Sequence, residues 1–151
     1  MQPVLIAGKW RAADAAGSFQ AANPQTGATL PDVYPTSAWT DCDAALTAAA
    51  AAFQTLRTVP RAKIAGFLRD FAARIEANVE PLAAMANAET GYPVKPRLAE
   101  VELPRTTNQL RAAAAACEDE SWTRPTIDTK LEIRARYEAL GPVAVFGPNN
   151  F

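Results

Sequence analysis

The final residues of the chain place two side-chain amides directly after an apolar run. The run is Val143–Phe146, and it is followed by Gly147, Pro148, Asn149, Asn150 and Phe151. A continuous apolar run is typical of a parallel strand that is buried on both faces. Open α/β sheets bind ligands at the carboxyl ends of such strands. The run therefore delivers the side-chain amides of Asn149 and Asn150 to a loop at such an edge. The same residue types also suit an ordinary turn, and composition alone favours that interpretation.

The remaining candidates for chemistry are few. The chain has no histidine, which removes the commonest general base and the commonest metal ligand, and we predict no metal site. Cys42 lies in TDCD and Cys117 in AACEDE. Because neighbouring carboxylates disfavour a thiolate, we predict that neither cysteine is a catalytic nucleophile. Two isolated thiols indicate a reducing compartment.

Composition excludes several classes of partner. The chain has 151 residues, is 49% hydrophobic and carries a net charge of −1, which suits one globular domain. It has no basic stripe for nucleic acid and no polybasic patch for a membrane surface. The N-terminus does not resemble a signal peptide, and no segment has the apolar length of a membrane span. The sequence therefore predicts a cytoplasmic protein with no nucleic-acid or membrane partner.

Turn formers dominate the first forty residues, which predicts short strands and hairpins. Helical periodicity follows. Thr40 is predicted to be an N-cap, with Asp43 in the capping-box position. Pro60 fits the first turn of a second helix, which carries an apolar stripe at Ile64, Leu68, Phe71, Ile75 and Val79.

Two further helices are predicted before the pattern changes. A short helix restarts at Pro81 and runs through Met85, and Gly91 supplies a left-handed C-cap. A fourth helix runs from about Arg97 to Cys117. Because Pro104 lies inside it, we expect a kink or a late start there.

After Asp128 the pattern becomes that of strands. Residues 130–138 alternate between apolar and charged side chains, which predicts a strand with one wet face. The apolar run Val143–Phe146 predicts a buried parallel strand, and such a strand needs crossover helices and parallel neighbours. Since the sequence offers neither after Phe151, we expect the N-terminal part of a larger α/β protein.

Several segments, in order, resemble the N-terminal portion of the aldehyde dehydrogenase superfamily. They are LIAGKW, NPQTGA, the helical stretch from ALTAAAA to RIEAN, LAAMANAETGYP and YEALGPVAVFGPNNF. RTTNQLR and GPVAVFG are most similar to the branch of ketoglutaric semialdehyde and NADP-linked fatty aldehyde dehydrogenases. The resemblance implies a Rossmann-type α/β fold, mostly helical in this chain. Residues 1–151 would be an incomplete cofactor-binding domain, with part of an oligomerisation arm at about 1–35 and 128–140.

The resemblance also implies roles for the residues of the final loop. Asn150 matches the family's oxyanion amide, and Phe151 falls where an aromatic ring lines the aldehyde tunnel. The residues expected to lie along an NAD or NADP cofactor are Phe146, Gly147, Pro148 and Asn149. Asn149 departs from the family pattern, because most members have Trp or Ser there.

A second group of candidates lies on the fourth predicted helix. The matching helix in the family borders the aldehyde tunnel, so Arg105 could pair with a substrate carboxylate. Gln109, one turn further on, shares that face. The alternative interpretation is a solvated helix surface, and it is the one that we favour for Arg105.

The function implied by the resemblance is oxidation of a semialdehyde or a fatty aldehyde to a carboxylic acid through a cysteine thiohemiacetal. The full-length parent is expected to be a homo-oligomer, either a dimer or a tetramer. The 151-residue chain alone is expected to be inactive and to self-associate or be only partly ordered. Two alternatives remain: a truncated homologue that serves as an assembly or binding module, and a helical binding domain.

Overall fold

The computed structural model describes residues 1–146, so Gly147–Phe151 lie outside the described residues. The chain divides into two compact units rather than the single body expected from its length. The first unit contains Met1–Ser18, Tyr34–Thr58 and the chain from Glu138 onward, and the second contains Phe19–Val33 and Val59–Tyr137.

The first unit begins with a tight hairpin. Strands β1 (Val4–Ile6) and β2 (Lys9–Arg11) are antiparallel. Ala7 and Gly8 connect them and both have positive φ, 52° and 75°. Positive φ at both central residues matches the right-handed twist of the strands, which is the geometry of a type I′ turn. The same unit contains helix α1 (Trp39–Leu56), which comes after two further strands in the chain.

The predicted capping box at Thr40 is wrong. Helix α1 begins one residue earlier, at Trp39, and its N-cap residue Ala38 makes no side-chain capping bond. The Thr40 hydroxyl instead donates to the carboxylate of Asp14. A partner from 26 residues away therefore engages the hydroxyl that a local capping box would have used.

The turn-rich N-terminal segment forms a second hairpin. Strands β3 (Ala15–Ala22) and β4 (Thr29–Ser37) pair with each other, and residues 19–33 at its tip belong to the second unit. Asn23 closes the tip, because its side-chain oxygen accepts from the backbone N–H groups of Gln25 and Thr26. This is the side-chain-to-backbone bonding that favours asparagine in turns.

The second unit is helical. It contains α2 (Arg61–Glu76), α3 (Val79–Thr90), a π-helical segment (Val94–Glu102) and α4 (Leu103–Asp119). Helices α2 and α4 pack through small side chains, since Ala65, Ala72 and Ala114 are fully buried. A second cluster contains Ala83, Leu98 and Ala99. The apolar stripe predicted on α2 is only partly buried, because Phe71 is exposed.

The boundaries of these helices follow proline and glycine. Pro60 is the residue before α2, not within its first turn, and α3 begins at Val79, two residues before Pro81. Gly91 ends α3 with φ +74°, which confirms the predicted left-handed C-cap. Pro104 lies in the first turn of α4, so the kink or late start predicted there takes the form of a change from π-helical to α-helical winding at Leu103.

The C-terminal strands are shorter than predicted. Strands β5 (Thr126–Asp128) and β6 (Ile133–Ala135) form an antiparallel pair, so only three of residues 130–138 are in a strand. The Asp128 carboxylate accepts from the backbone N–H groups of Lys130 and Leu131. The first residues of the alternating segment therefore form a turn and not a strand.

The predicted buried strand at Val143–Phe146 is not formed in this structure. Its residues are exposed, and they join no ladder. A parallel strand needs neighbours on the sheet, and the strands among residues 1–146 form three separate pairs. Within the same residues, no helix combines the length and apolar character needed to cross a bilayer.

Candidate functional site

Arg105 and Gln109, the predicted substrate-binding side chains, lie near the start of helix α4. They are four residues apart, which places them on one face of the helix, and both are exposed. The helix begins at Leu103 because Pro104 is tolerated in a first turn, where its missing N–H removes no helical hydrogen bond. The structure therefore brings these two predicted residues together on an accessible surface.

Arg105 forms only a long ion pair. Its Nη1 lies 3.8 Å from Oε2 of Glu102, and its side chain is 69% exposed. Glu102 is held more closely by Arg97, whose Nη2 lies 2.9 Å from Oε1. One carboxylate between two guanidinium groups leaves a local positive charge. The planar fork of Arg105 can therefore engage a further anion, such as a carboxylate.

Arg97 and Glu102 were not predicted from the sequence, and the reason is geometric. They are five residues apart, which does not align two side chains on an α-helix. The backbone is extended at Lys95 (φ −121°, ψ 141°), and the residues after it are wound more widely, with the Leu98 N–H bonded to the carbonyl of Pro93, five residues earlier. Arg97 also lies 5.8 Å from the centre of the Tyr92 ring. The Tyr92 ring and the Glu102 carboxylate together fix the position of Arg97, and Glu102 is also the ion-pair partner of Arg105.

Cys117, the cysteine in the same unit, lies away from this group. Cys117 is half-buried near the end of α4, and its Sγ is 3.7 Å from the carbonyl oxygen of Arg61. It follows Arg105 by twelve residues, or about 18 Å of helix. Cys42 is exposed on α1, in the first unit. Within the second unit, the thiol of Cys117 therefore lies away from the face of Arg105 and Gln109.

The chain leading to the predicted catalytic loop is accessible. Gly141 has φ +127°, and a Cβ built there would lie 3.7 Å from the ring of Phe53. Phe146, one of the predicted cofactor-binding residues, is 89% exposed. The other predicted residues of this loop lie beyond residue 146 and so outside the described residues: Gly147, Pro148, Asn149, Asn150 and Phe151.

Comparison with a curated relative supports the resemblance in the sequence. The chain is 34% identical over 157 aligned residues to alpha-ketoglutaric semialdehyde dehydrogenase 2 of Azospirillum brasilense. The match covers 97% of this chain and 30% of the relative, so the chain spans about a third of the relative's length.

Solved structures show the same fold. An NAD-dependent benzaldehyde dehydrogenase from Corynebacterium glutamicum superposes with a TM-score of 0.73 at 20% identity, over 84% of this chain and 26% of that one. A Mycobacterium tuberculosis aldehyde dehydrogenase complexed with NAD+ superposes with a TM-score of 0.72 at 24% identity, over 85% of this chain and 26% of that one. Both covered shares confirm that the chain corresponds to part of a larger Rossmann-like α/β fold.

The sequence model of one family matches nearly the whole chain. It carries the description "Aldehyde dehydrogenase family", and the match runs over residues 10–151. The match therefore includes helices α1 to α4, with Arg105 and Gln109 on α4, and the terminal loop. With this extent of match, the chain belongs to the aldehyde dehydrogenase family.

Proposed function

We propose that the chain forms the N-terminal part of an NAD(P)-dependent aldehyde dehydrogenase that oxidises an aldehyde to a carboxylic acid. The observation that carries this proposal is the family match over residues 10–151. When bound, the nicotinamide cofactor accepts the hydride that leaves the substrate carbon. The exposed Phe146 leaves the approach to the terminal loop open to a dinucleotide, which is compatible with the predicted site. This part of the cofactor-binding domain would include the arm at about residues 1–35 and 128–140.

The terminal loop would contribute to the chemical step. A cysteine thiolate, supplied by the rest of the parent enzyme, adds to the aldehyde carbon and leaves a negative charge on its oxygen. The side-chain amide of Asn150 donates a hydrogen bond to that oxygen. Loss of hydride gives a thioester, and water then releases the acid and returns the thiol. In the same proposal, Phe151 would line the aldehyde tunnel, and Gly147, Pro148 and Asn149 would lie along the cofactor.

The substrate class that we favour is an aldehyde bearing a carboxylate. The Azospirillum relative is named for such a compound, a ketoglutaric semialdehyde. Arg105 provides an exposed guanidinium whose ion pair with Glu102 is 3.8 Å long, so a substrate carboxylate could replace Glu102 as its partner. Gln109 offers an amide on the same face. The alternative substrate is a fatty aldehyde, which has no charge for Arg105 to bind.

Kinetics of the complete enzyme would test this assignment. Arg105→Gln should lower kcat/KM for a carboxylate-bearing semialdehyde by about 10- to 100-fold, because a charged hydrogen bond is lost. It should leave kcat/KM for hexanal unchanged. Arg111→Gln is the matched control, since Arg111 lies on the same helix but its guanidinium pairs with Glu76 at 2.7 Å. An equal loss with both aldehydes would contradict the role of Arg105.

The activity itself is tested separately. The protein encoded by the complete reading frame should reduce NAD or NADP in the presence of an aldehyde. The 151-residue chain alone should not reduce either cofactor, because the carboxylates beside its two cysteines disfavour the thiolate that a nucleophile needs. Failure of the complete protein with both cofactors would favour the alternative, an assembly or binding module. Turnover by the 151-residue chain would show that the nucleophile is wrongly assigned to the rest of the parent enzyme.

A further inference from the structure

Glu102 is shared unequally between two arginines. Its Oε1 lies 2.9 Å from Nη2 of Arg97, which is within hydrogen-bonding distance. Its Oε2 lies 3.8 Å from Nη1 of Arg105, which is too long for a hydrogen bond. The side chain of Glu102 is 20% exposed, whereas that of Arg105 is 69% exposed. The half-buried carboxylate is therefore bound by Arg97, and the more exposed guanidinium of Arg105 is only loosely paired.

The spacing along the chain favours the opposite pairing. Glu102 has α-helical φ and ψ, −74° and −43°, and it directly precedes helix α4. Residues three apart on a helix are neighbours, so Glu102 and Arg105 have the spacing of an intrahelical ion pair. Arg97 is five residues from Glu102 and reaches it across the wider winding that follows Lys95. A local partner is thus available to Glu102, and the contact with Arg97 competes with it.

Arg97 is also held on the side away from Glu102. Its guanidinium carbon lies 5.8 Å from the centre of the Tyr92 ring, within the range of a cation–π contact. Tyr92 packs against the buried cluster that contains Leu98, and its carbonyl oxygen accepts a 2.6 Å hydrogen bond from the side chain of Asn87. The position of Arg97 is therefore set by the core of the second unit and not by Glu102 alone.

We propose that Arg97 is a positioning residue, which holds Glu102 and so keeps Arg105 accessible to the carboxylate of the substrate. The inference rests on the proposed binding of that carboxylate by Arg105. Without Arg97, the Glu102 carboxylate would close the 3.8 Å gap and neutralise Arg105. The substrate carboxylate would then have to displace an anion that is already paired there. Arg97 itself does not touch the substrate in this arrangement, so its effect passes through Arg105.

Steady-state kinetics of the complete enzyme with succinic semialdehyde would test the proposal. Arg97→Gln should raise KM by about 3- to 5-fold, the upper range for an ion pair at a surface. It should leave kcat unchanged, because the reacting atoms are not involved. Adding Glu102→Gln to this variant should return KM to within about 2-fold of the original, since the competing charge is gone. Hexanal, which has no carboxylate, is the reference substrate for every variant.

A double-mutant cycle separates this role from a direct contact with the substrate. Arg97→Gln added to Arg105→Gln should leave KM at the value of Arg105→Gln alone, because no guanidinium remains at position 105 to be kept accessible. The control is Arg111→Gln, which removes a paired arginine from the same unit and should leave KM unchanged. A further rise in KM when Arg97→Gln is added to Arg105→Gln would overturn the proposal. So would an unchanged KM in Arg97→Gln, or a raised KM that Glu102→Gln fails to restore.

Equilibrium binding of glutarate, a dicarboxylate, provides a second measurement that needs no turnover. Isothermal titration calorimetry of the complete protein should give a Kd that Arg97→Gln raises and that the added Glu102→Gln restores. If Arg105→Gln changes neither KM nor this Kd, the proposed substrate class fails and the role of Arg97 fails with it. If Arg105→Gln raises both and Arg97→Gln raises neither, only the role of Arg97 is wrong. Circular dichroism should confirm that each variant keeps its helix content.

Discussion

At the scale of single residues, the most constrained side chain is a buried carboxylate. Asp41 is 3% exposed, and it accepts a 2.5 Å bond from Nη2 of Arg11 and a 2.8 Å bond from the N–H of Asp14. A buried charge is tolerated only when it is paired and hydrogen-bonded in this way. Its two partners attach the chain after strand β2 to the first turn of helix α1.

Replacement of this carboxylate should cost stability. Asp41→Ala is expected to lower the free energy of unfolding by about 1.5–3 kcal/mol, because bonds to a charged acceptor are lost and the Asp14 N–H loses its partner. Asp43→Ala, on the exposed side of the same helix, should change it by no more than about 0.5 kcal/mol. Urea unfolding of both variants measures the difference. Equal midpoints would show that Asp41 has no special structural role.

The terminal loop provides a second prediction at this scale. In the complete enzyme, Asn150→Ala should slow hydride transfer by about 10²–10³, or roughly 3–4 kcal/mol, because one oxyanion donor is lost. Asn149→Ala should cost much less. Single-turnover hydride transfer and a cofactor titration distinguish the two roles. A larger loss at Asn149 would mean that the catalytic amide is one residue earlier than proposed.

The sequence predicted which side chains are exposed better than it predicted which residues they contact. The i,i+4 spacing correctly placed Arg105 and Gln109 on one exposed face of a helix. The contacts of Asp41 come from 27 and 30 residues away, and the pairing of Glu102 with Arg97 depends on a π-helical segment. Neither kind of contact leaves a local pattern in the sequence.

At the scale of elements, local signals predicted where helices end. Gly91 and Pro104 act on their own backbone, so the C-cap of α3 and the change of winding at the start of α4 could be predicted. Strands depend on partners that are distant in sequence. The alternating segment 130–138 contributes only Ile133–Ala135 to a strand, and Val143–Phe146 contributes none.

Two glycines in the second unit should respond in opposite directions to alanine. Gly91 has φ +74°, and a Cβ there would lie 3.2 Å from side-chain atoms of both Pro24 and Gln25. Gly91→Ala should therefore destabilise the chain by about 1–2 kcal/mol. Gly66 lies inside α2 and a Cβ there would meet nothing within 4 Å, so Gly66→Ala should stabilise it by roughly 0.5–1 kcal/mol. Thermal melts monitored by circular dichroism would show whether each variant melts below or above the original chain. If both melting temperatures moved in the same direction, this account would be contradicted.

At the scale of the whole molecule, large apolar side chains stay exposed in both units. Phe67 and Phe71 are exposed on α2 in the second unit, and Val143–Phe146 is exposed in the first. The family match could be predicted from motifs that occur in the expected order. The exposure of particular apolar faces could not, because it depends on tertiary packing that short motifs do not specify.

The alanine-lined contact between α2 and α4 has a calorimetric consequence. Ala65, Ala72 and Ala114 bring two helices together while removing little hydrocarbon from water, and several larger apolar side chains are already hydrated in the native chain. Melting then exposes little new apolar area, which is the main source of the heat-capacity increment. A typical chain of this length would show about 1.8–2.3 kcal/mol/K. Scanning calorimetry of the monomer should give a smaller increment, and therefore a flat stability curve that is nearly insensitive to cooling.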